Sequence, residues 1–308
     1  MIFYDTEAKW YRFLLRFLKL SSLWRAFKLG AFFGVYAFLI RLAFDHFDIE
    51  FTLSRRVFET LATLFTILIV LRTTQAYNRW WEARQTWGAL VNCSRNLAIY
   101  IDRFLPEGSK KAKDTLALHI ANFFNALAYH LRDEAPKPEY YALDKEIEKE
   151  LDQELSHPIV FSSAIIREIK EQYKKGKIDG NELLILGEHH GKFIDILGIN
   201  ERIKKAPIPF SYIALIKTII LSFGFLAPLQ EINSVEVNVI PVFLTIIMTL
   251  VILLEILAAE IEDPFETREN DLPLIQMANV ISKDVFNILG QKEHNPRTTE
   301  MKPFQKVI

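Results

Sequence analysis

Three groups of side chains in this 308-residue chain are placed to do chemistry. In the stretch TLATLFTILIVL, residues 60–71, Thr63, Ile67 and Leu71 recur every four positions and so fall on one face of a helix. If several copies of that helix surround an axis, the face makes stacked rings, a hydroxyl collar at Thr63 and apolar collars at Ile67 and Leu71. Apolar constrictions can gate ions by dewetting, and a hydroxyl can meet an ion of either sign, a cation through its oxygen or an anion through its proton. The other reading of the same threonines is that they bond back to carbonyls of their own helix. Periodicity alone leaves both open.

The second group is the acidic run AAEIEDPFETRENDLPL at 258–274, which holds Glu260, Glu262, Asp263, Glu266, Glu269 and Asp271. Clustered carboxylates can bind a hard cation through oxygen. They can equally pair with the basic RWWEAR segment at 79–84 or serve as first-turn acids of a following helix. The third group is Glu188, His189 and His190. Adjacent residues on a helix point about 100° apart, so the two histidines cannot easily chelate one ion. The sequence has no His-Glu-x-x-His spacing, phosphate-binding loop, nucleophile elbow or Ser/His/Asp grouping. We therefore expect no catalytic residues, no metal centre and no cofactor. The lone Cys93 excludes an intrachain disulfide and a multi-thiolate metal site.

The elements that must carry these groups are legible from hydropathy. Four apolar stretches occur, at 29–44 with Arg41 inside, at 57–71, at 209–229 with Lys217 inside, and at 237–254 without a charge. Only the last meets the span criterion of about 18 uncharged residues. The others reach full length with an interfacial turn at one end, and polar residues within spans face a bundle interior or a watery cavity. Hydrophobic residues make up 50% of the chain, and Lys+Arg 37 against Asp+Glu 38 leave a net charge of -1. That composition fits a few spans with a substantial water-soluble part, and nothing in it points to a nucleic-acid partner.

Charge placement orients the spans. Lys9, Arg12, Arg16, Lys19, Arg25 and Lys28 precede the first, and Arg202, Lys204 and Lys205 precede the third. Asp45, Asp48, Glu50, Glu231 and Glu236 lie in the connections that follow. The positive-inside rule then puts both termini in the cytoplasm of a multi-pass inner (plasma) membrane protein. At the N-terminus, Trp10, Phe13, Leu14, Phe17 and Leu18 share one helical face and Arg12, Arg16 and Lys19 the other. This is the pattern of a helix lying in the membrane interface, or of one packed on the soluble part.

Between the second and third spans, apolar residues recur at helical spacing in Trp87, Leu90, Leu97 and Ile101, in Leu116, Ile120, Phe123, Phe124 and Leu127, and in Ile165, Ile169, Ile194 and Leu197. Breaks fall at 106–108, 136–138, 157–158 and 176–180. The expected organisation is an interfacial segment at 1–28, two spans at 29–71, a helical cytosolic domain at 72–208, two spans at 209–257, and an acidic segment, helix and tail at 258–308.

Three passages in order, RTTQAYNRWWEARQTWG at 72–88, NERIKKAPIPFSY at 200–212 and EDPFETRENDLPL at 262–274, resemble the bestrophin family in its bacterial branch. The resemblance runs from the first span to Asp284. It implies an all-α membrane protein with four transmembrane helices continuous with a helical cytosolic domain, assembled as a homopentamer around one central pore. In that family three hydrophobic residues at i, i+4 and i+8 of the second span line the neck. Counted back from Arg79, these positions are Thr63, Ile67 and Leu71, with Thr63 departing from the usual apolar residue. A second, cytosolic aperture follows a basic turn, here KKGKIDG, which places it at Asn181, with Leu184 one turn on. Asn181 is polar where the family is often aliphatic.

Animal members bind calcium in a clasp whose positions here resemble Glu260, Asp263, Arg268 and Asp271. Arg268 puts a cation where an acidic ligand stands, which opposes calcium, so the cluster is expected to close through internal salt bridges. The implied function is passive conduction of small monovalent ions. Acidic residues of the external connections, Glu50, Glu231 and Glu236, tilt the expectation toward cations, with chloride or other anions as the alternative. The implied partners are copies of the chain, the lipid bilayer and small inorganic ions. A non-conducting membrane scaffold or regulatory protein with a helical partner-binding domain is the competing class, and closed rings of the neck residues separate the two.

Overall fold

Proline is absent from Arg55 to Phe104, and this stretch forms one helix of 50 residues in the computed structural model. At 1.5 Å per residue it is about 75 Å long, more than twice the roughly 30 Å of a hydrocarbon core. The structure describes residues 9–49, 54–132, 140–152, 156–229, 239–291 and 294. Among them the regular elements are helices: α1 Trp10–Phe17, α2 Ser21–Phe47, α3 Arg55–Phe104, α4 Lys110–His130, α5 Lys145–Leu151, α6 His157–Lys174, α7 Gly180–Lys205, α8 Phe210–Leu226 with a 3-10 turn Ala227–Leu229, α9 Val239–Glu262, and α10 Leu274–Ile288. The chain divides into two units, one of residues 4–80 and 207–262, the other chiefly of residues 81–206 and 263–308. Helix α3 contributes to both.

The first unit holds the apolar helices. Four helices are long and apolar enough to cross a membrane: Ser21–Phe47, Phe58–Phe104, Phe210–Leu229 and Val239–Glu262. Lipid offers no hydrophobic drive between such helices, so small residues that permit close approach hold them together. Helix α2 carries that stripe as Ala26, Gly30, Gly34 and Ala37 and packs on α9. A Cβ at Gly30 would stand 2.1 Å from Thr249 Oγ1 and 2.8 Å from the Thr245 carbonyl, and one at Gly34 would stand 1.9 Å from Thr245 Oγ1. Around this contact Phe33, Phe65, Ile69, Ile216, Ile220, Leu244 and Met248 form the buried core.

Two helices run beyond the apolar stretches they carry. Helix α2 begins at Ser21, so Arg25 and Lys28, which precede the apolar stretch, lie in its first turns. Helix α9 continues to Glu262, because nothing breaks it before Pro264. The apolar face expected on α1 is split: Phe17 packs against the core, while Trp10, Leu14 and Leu18 are exposed.

The second unit is organised around α4. The sequence pattern marks one apolar face, yet from Leu116 to Ala128 all but one of its residues are buried, including His119, Asn122 and Asn125. A helix covered all round is a core helix. Helices α6 and α10 pack on it, and Phe193 of α7 stacks on Phe123 with ring centroids 5.2 Å apart. Helix α5 is tied to α6 by Arg167, which donates to Glu146 at 2.8 Å and Glu150 at 2.6 Å. The expected break at 136–138 lies outside the described residues.

Candidate ion pathway and acidic cluster

Helix α3 presents two faces. Phe65, Ile69, Arg72 and Ala76 are buried within the chain, while Thr63 is exposed and Ile67 and Leu71 are 55% and 46% exposed. A helix buries the residues three and four apart on its packed side, so the burial of Phe65, Ile69, Arg72 and Ala76 turns the stripe at 63, 67 and 71 away from the unit's own core. The structure thus brings the three predicted neck residues onto one uncovered face. The hydroxyls of Thr60, Thr63 and Thr66 each donate 2.8 Å back to the carbonyls of Arg56, Glu59 and Ala62. The intrahelical alternative is therefore realised, and the oxygen lone pairs of Thr63 stay available to accept.

Asn181 and Leu184 sit at the start of α7, in the second unit. Its N-terminus is fixed by a capping box: Asp179 accepts from the Glu182 amide at 2.7 Å, and Glu182 accepts from the Asp179 amide at 2.8 Å. Asn181 is exposed and Leu184 is 72% exposed, so both are presented outward from the capped helix start.

Three carboxylates of 258–274, those of Glu260, Glu262 and Glu266, are occupied by the protein's own donors. In the first unit, Glu260 accepts from Ser22 and Arg25, each at 2.5 Å. Glu262 accepts from Arg72 at 2.7 Å through one oxygen and from the Ile208 amide at 3.0 Å through the other. In the second unit, Lys204 reaches Glu266 at 2.6 Å and lies 3.9 Å from Asp263. Arg132, itself buried, donates to the Phe265 carbonyl at 3.1 Å, which ties the acidic loop to the end of α4.

Asp271 is fully buried. Its Oδ2 accepts from the Arg268 amide at 2.6 Å, while its Oδ1 is buried without a hydrogen-bond partner. Burial pushes its carboxyl up to about 6, and the hydrogen bond and charge of Arg268 offset this only in part. Glu260, Asp263 and Asp271, grouped by the sequence reading, are divided between separate sets of donors. Among the described residues no three His, Cys, Asp or Glu side chains gather as a metal-binding group.

The two histidines face different partners. His189 lies against Tyr100 with ring centroids 4.8 Å apart, and His190 Nε2 sits 2.8 Å from Ser162 Oγ. Burial pushes the His190 pKa down. The external acids Glu50, Glu231 and Glu236 lie outside the described residues. Sequence reasoning missed the pair Arg72–Glu262, although an arginine directly following an apolar span signals a required partner.

Four apolar helices of spanning length, with the buried pair Arg72–Glu262 among them, define the class: a helical membrane protein. Residues 1–287 match the family described as Bacterial/Fungal Bestrophin protein, and the chain belongs to this bestrophin family. The resemblance carried by 72–88, 200–212 and 262–274 therefore holds. The chain is similar to a protein of Synechocystis sp. named voltage-dependent anion channel-forming protein, 31% identical over 227 residues that cover 72% of this chain and 74% of the relative. A Nostoc sp. protein of the same name is 28% identical over 92% of this chain and 93% of its own. An Escherichia coli K12 protein, also so named, is 28% identical over 81% of each. Among solved structures, a bacterial bestrophin homologue from Klebsiella pneumoniae matches with a TM-score of 0.76 at 24% identity, covering 86% of this chain and 98% of that one. That likeness concerns the fold.

Proposed function

We propose that the chain is one subunit of a passive ion channel in which five copies enclose a central pore. Thr63, Ile67 and Leu71 form its neck, and Asn181 with Leu184 its cytosolic aperture. The observation that carries this reading is the uncovered stripe on α3: Ile67 and Leu71 are exposed while the opposite face, from Phe65 to Ala76, is buried. Family membership and the channel names of the relatives support the same reading.

The protein resides in the inner membrane with both termini cytoplasmic, a reading supported by the basic residues before the first and third spans. The conducted species is a small monovalent ion. The external acids favour cations, and the names of the relatives favour anions. The acidic cluster works through internal salt bridges without calcium, a reading supported by the donors on Glu260, Glu262 and Glu266.

The test is the reversal potential of purified protein in planar bilayers under a KCl gradient. A shift toward the potassium equilibrium potential establishes a cation channel, and a shift toward that of chloride an anion channel. A purified protein that forms no pentamer and passes no current would sink the channel reading and leave the scaffold.

A further inference from the structure

Within the first unit, one residue at the end of α9 gathers three donors from two other segments. Arg72 of α3 donates to Glu262 Oε2 at 2.7 Å, and Arg79 of α3 donates to the Glu262 carbonyl at 3.0 Å. The amide of Ile208, in the segment that leads into α8, donates to Glu262 Oε1 at 3.0 Å. Arg72 is fully buried, and its Nε and Nη1 have no hydrogen-bond partner. Among the described residues the Glu262 carboxylate is thus the partner that answers its charge.

Arg72 directly follows Leu71 and lies about 100° from it around the helix. Arg79 lies seven residues beyond Arg72, two turns along the same face. A helix held at two points on one side cannot roll without breaking one of them. The direction of Leu71 is therefore fixed by what holds Arg72 and Arg79.

We propose that Glu262 is a positioning residue for the neck: its carboxylate and carbonyl lock the rotation of α3 to the end of α9 and the lead-in to α8, and so set the aperture at Leu71. This rests on the reading of Thr63, Ile67 and Leu71 as the neck. Charge is essential to the lock, because a buried guanidinium holds its place only with a paired carboxylate.

The experiment compares single-channel currents of four purified proteins in bilayers: unaltered, Glu262→Gln, the double variant Arg72→Met/Glu262→Gln, and Ile67→Ala/Leu71→Ala. Glu262→Gln keeps the acceptor for Ile208 but leaves Arg72 unpaired, whereas the double variant removes both charges and avoids an orphaned guanidinium. Unitary conductance is a property of each assembled channel, so a loss of stability alone does not move it. Assembled double-variant channels are expected to differ from the unaltered protein in conductance or open probability by about twofold to thirtyfold, the range that residues coupled to a gate produce.

Unaltered single-channel behaviour in the assembled double variant, beside an altered Ile67→Ala/Leu71→Ala channel, overturns the positioning role and leaves the neck reading standing. An Ile67→Ala/Leu71→Ala channel that conducts as before overturns the neck reading, and this inference falls with it. Failure of both Glu262 variants to assemble assigns the junction to assembly alone, which also overturns the inference.

Discussion

Replacing Asp271 by asparagine should stabilise the protein at neutral pH. Asp271 is fully buried with one carboxylate oxygen unpartnered, and burial lifts its pKa from 3.8 to about 6. The native state then takes up the proton more readily than the unfolded chain, so the ionised form opposes folding. This cost is absent below the ordinary carboxylate value, grows as pH rises from 3.8 to about 6, and is complete above that. At about 1.4 kcal/mol per pH unit it amounts to roughly 3 kcal/mol. The substituted side chain keeps an acceptor for the Arg268 amide and has no charge to bury, so it lacks this pH dependence. The assay is thermal unfolding of both purified proteins in detergent from pH 4 to pH 8, read as the difference between them. The variant should gain over the unaltered protein as pH rises through this window and hold a constant advantage above it. A difference that stays flat across the window, or a variant that is less stable at pH 7.5, would refute the reasoning.

Three further outcomes are expected. Ile67→Ala with Leu71→Ala widens the apolar collars and raises unitary conductance several-fold; unchanged conductance in correctly assembled protein would move the constriction elsewhere. Gly30→Val forces a side chain into the α2–α9 contact, where even a Cβ meets the Thr245 carbonyl at 2.8 Å, and should cost about 1–3 kcal/mol. Gly187→Ala, which meets nothing within 4 Å, should be tolerated in the same folding assay, and equal loss in both would discount the contact. Calcium titrated into the purified protein should give no saturable micromolar binding by calorimetry, since Glu260, Glu262 and Glu266 already hold arginine, serine or lysine partners; saturable binding would reverse that assignment.

Much of this protein was decided by its sequence alone, because the forces involved are local. A proline-free run fixes α3, apolar length fixes the four helices able to cross a membrane, and the KIDGNE stretch carries its own capping box at Asp179 and Glu182. The stripe of Thr63, Ile67 and Leu71 is also local, since a spacing of four residues on a helix is a direction in space. Helical periodicity did not foresee α4: its one apolar face became a helix buried nearly all round, because neighbouring helices distant in sequence cover it. Nor could it assign the acidic run. Glu260 finds Ser22 at a separation of 238 residues, and Glu262 finds Arg72 at 190. A buried charge must be answered by whichever donor the tertiary structure brings within reach, and for a carboxylate at the end of α9 that donor lies on α2 or α3, where no local pattern points.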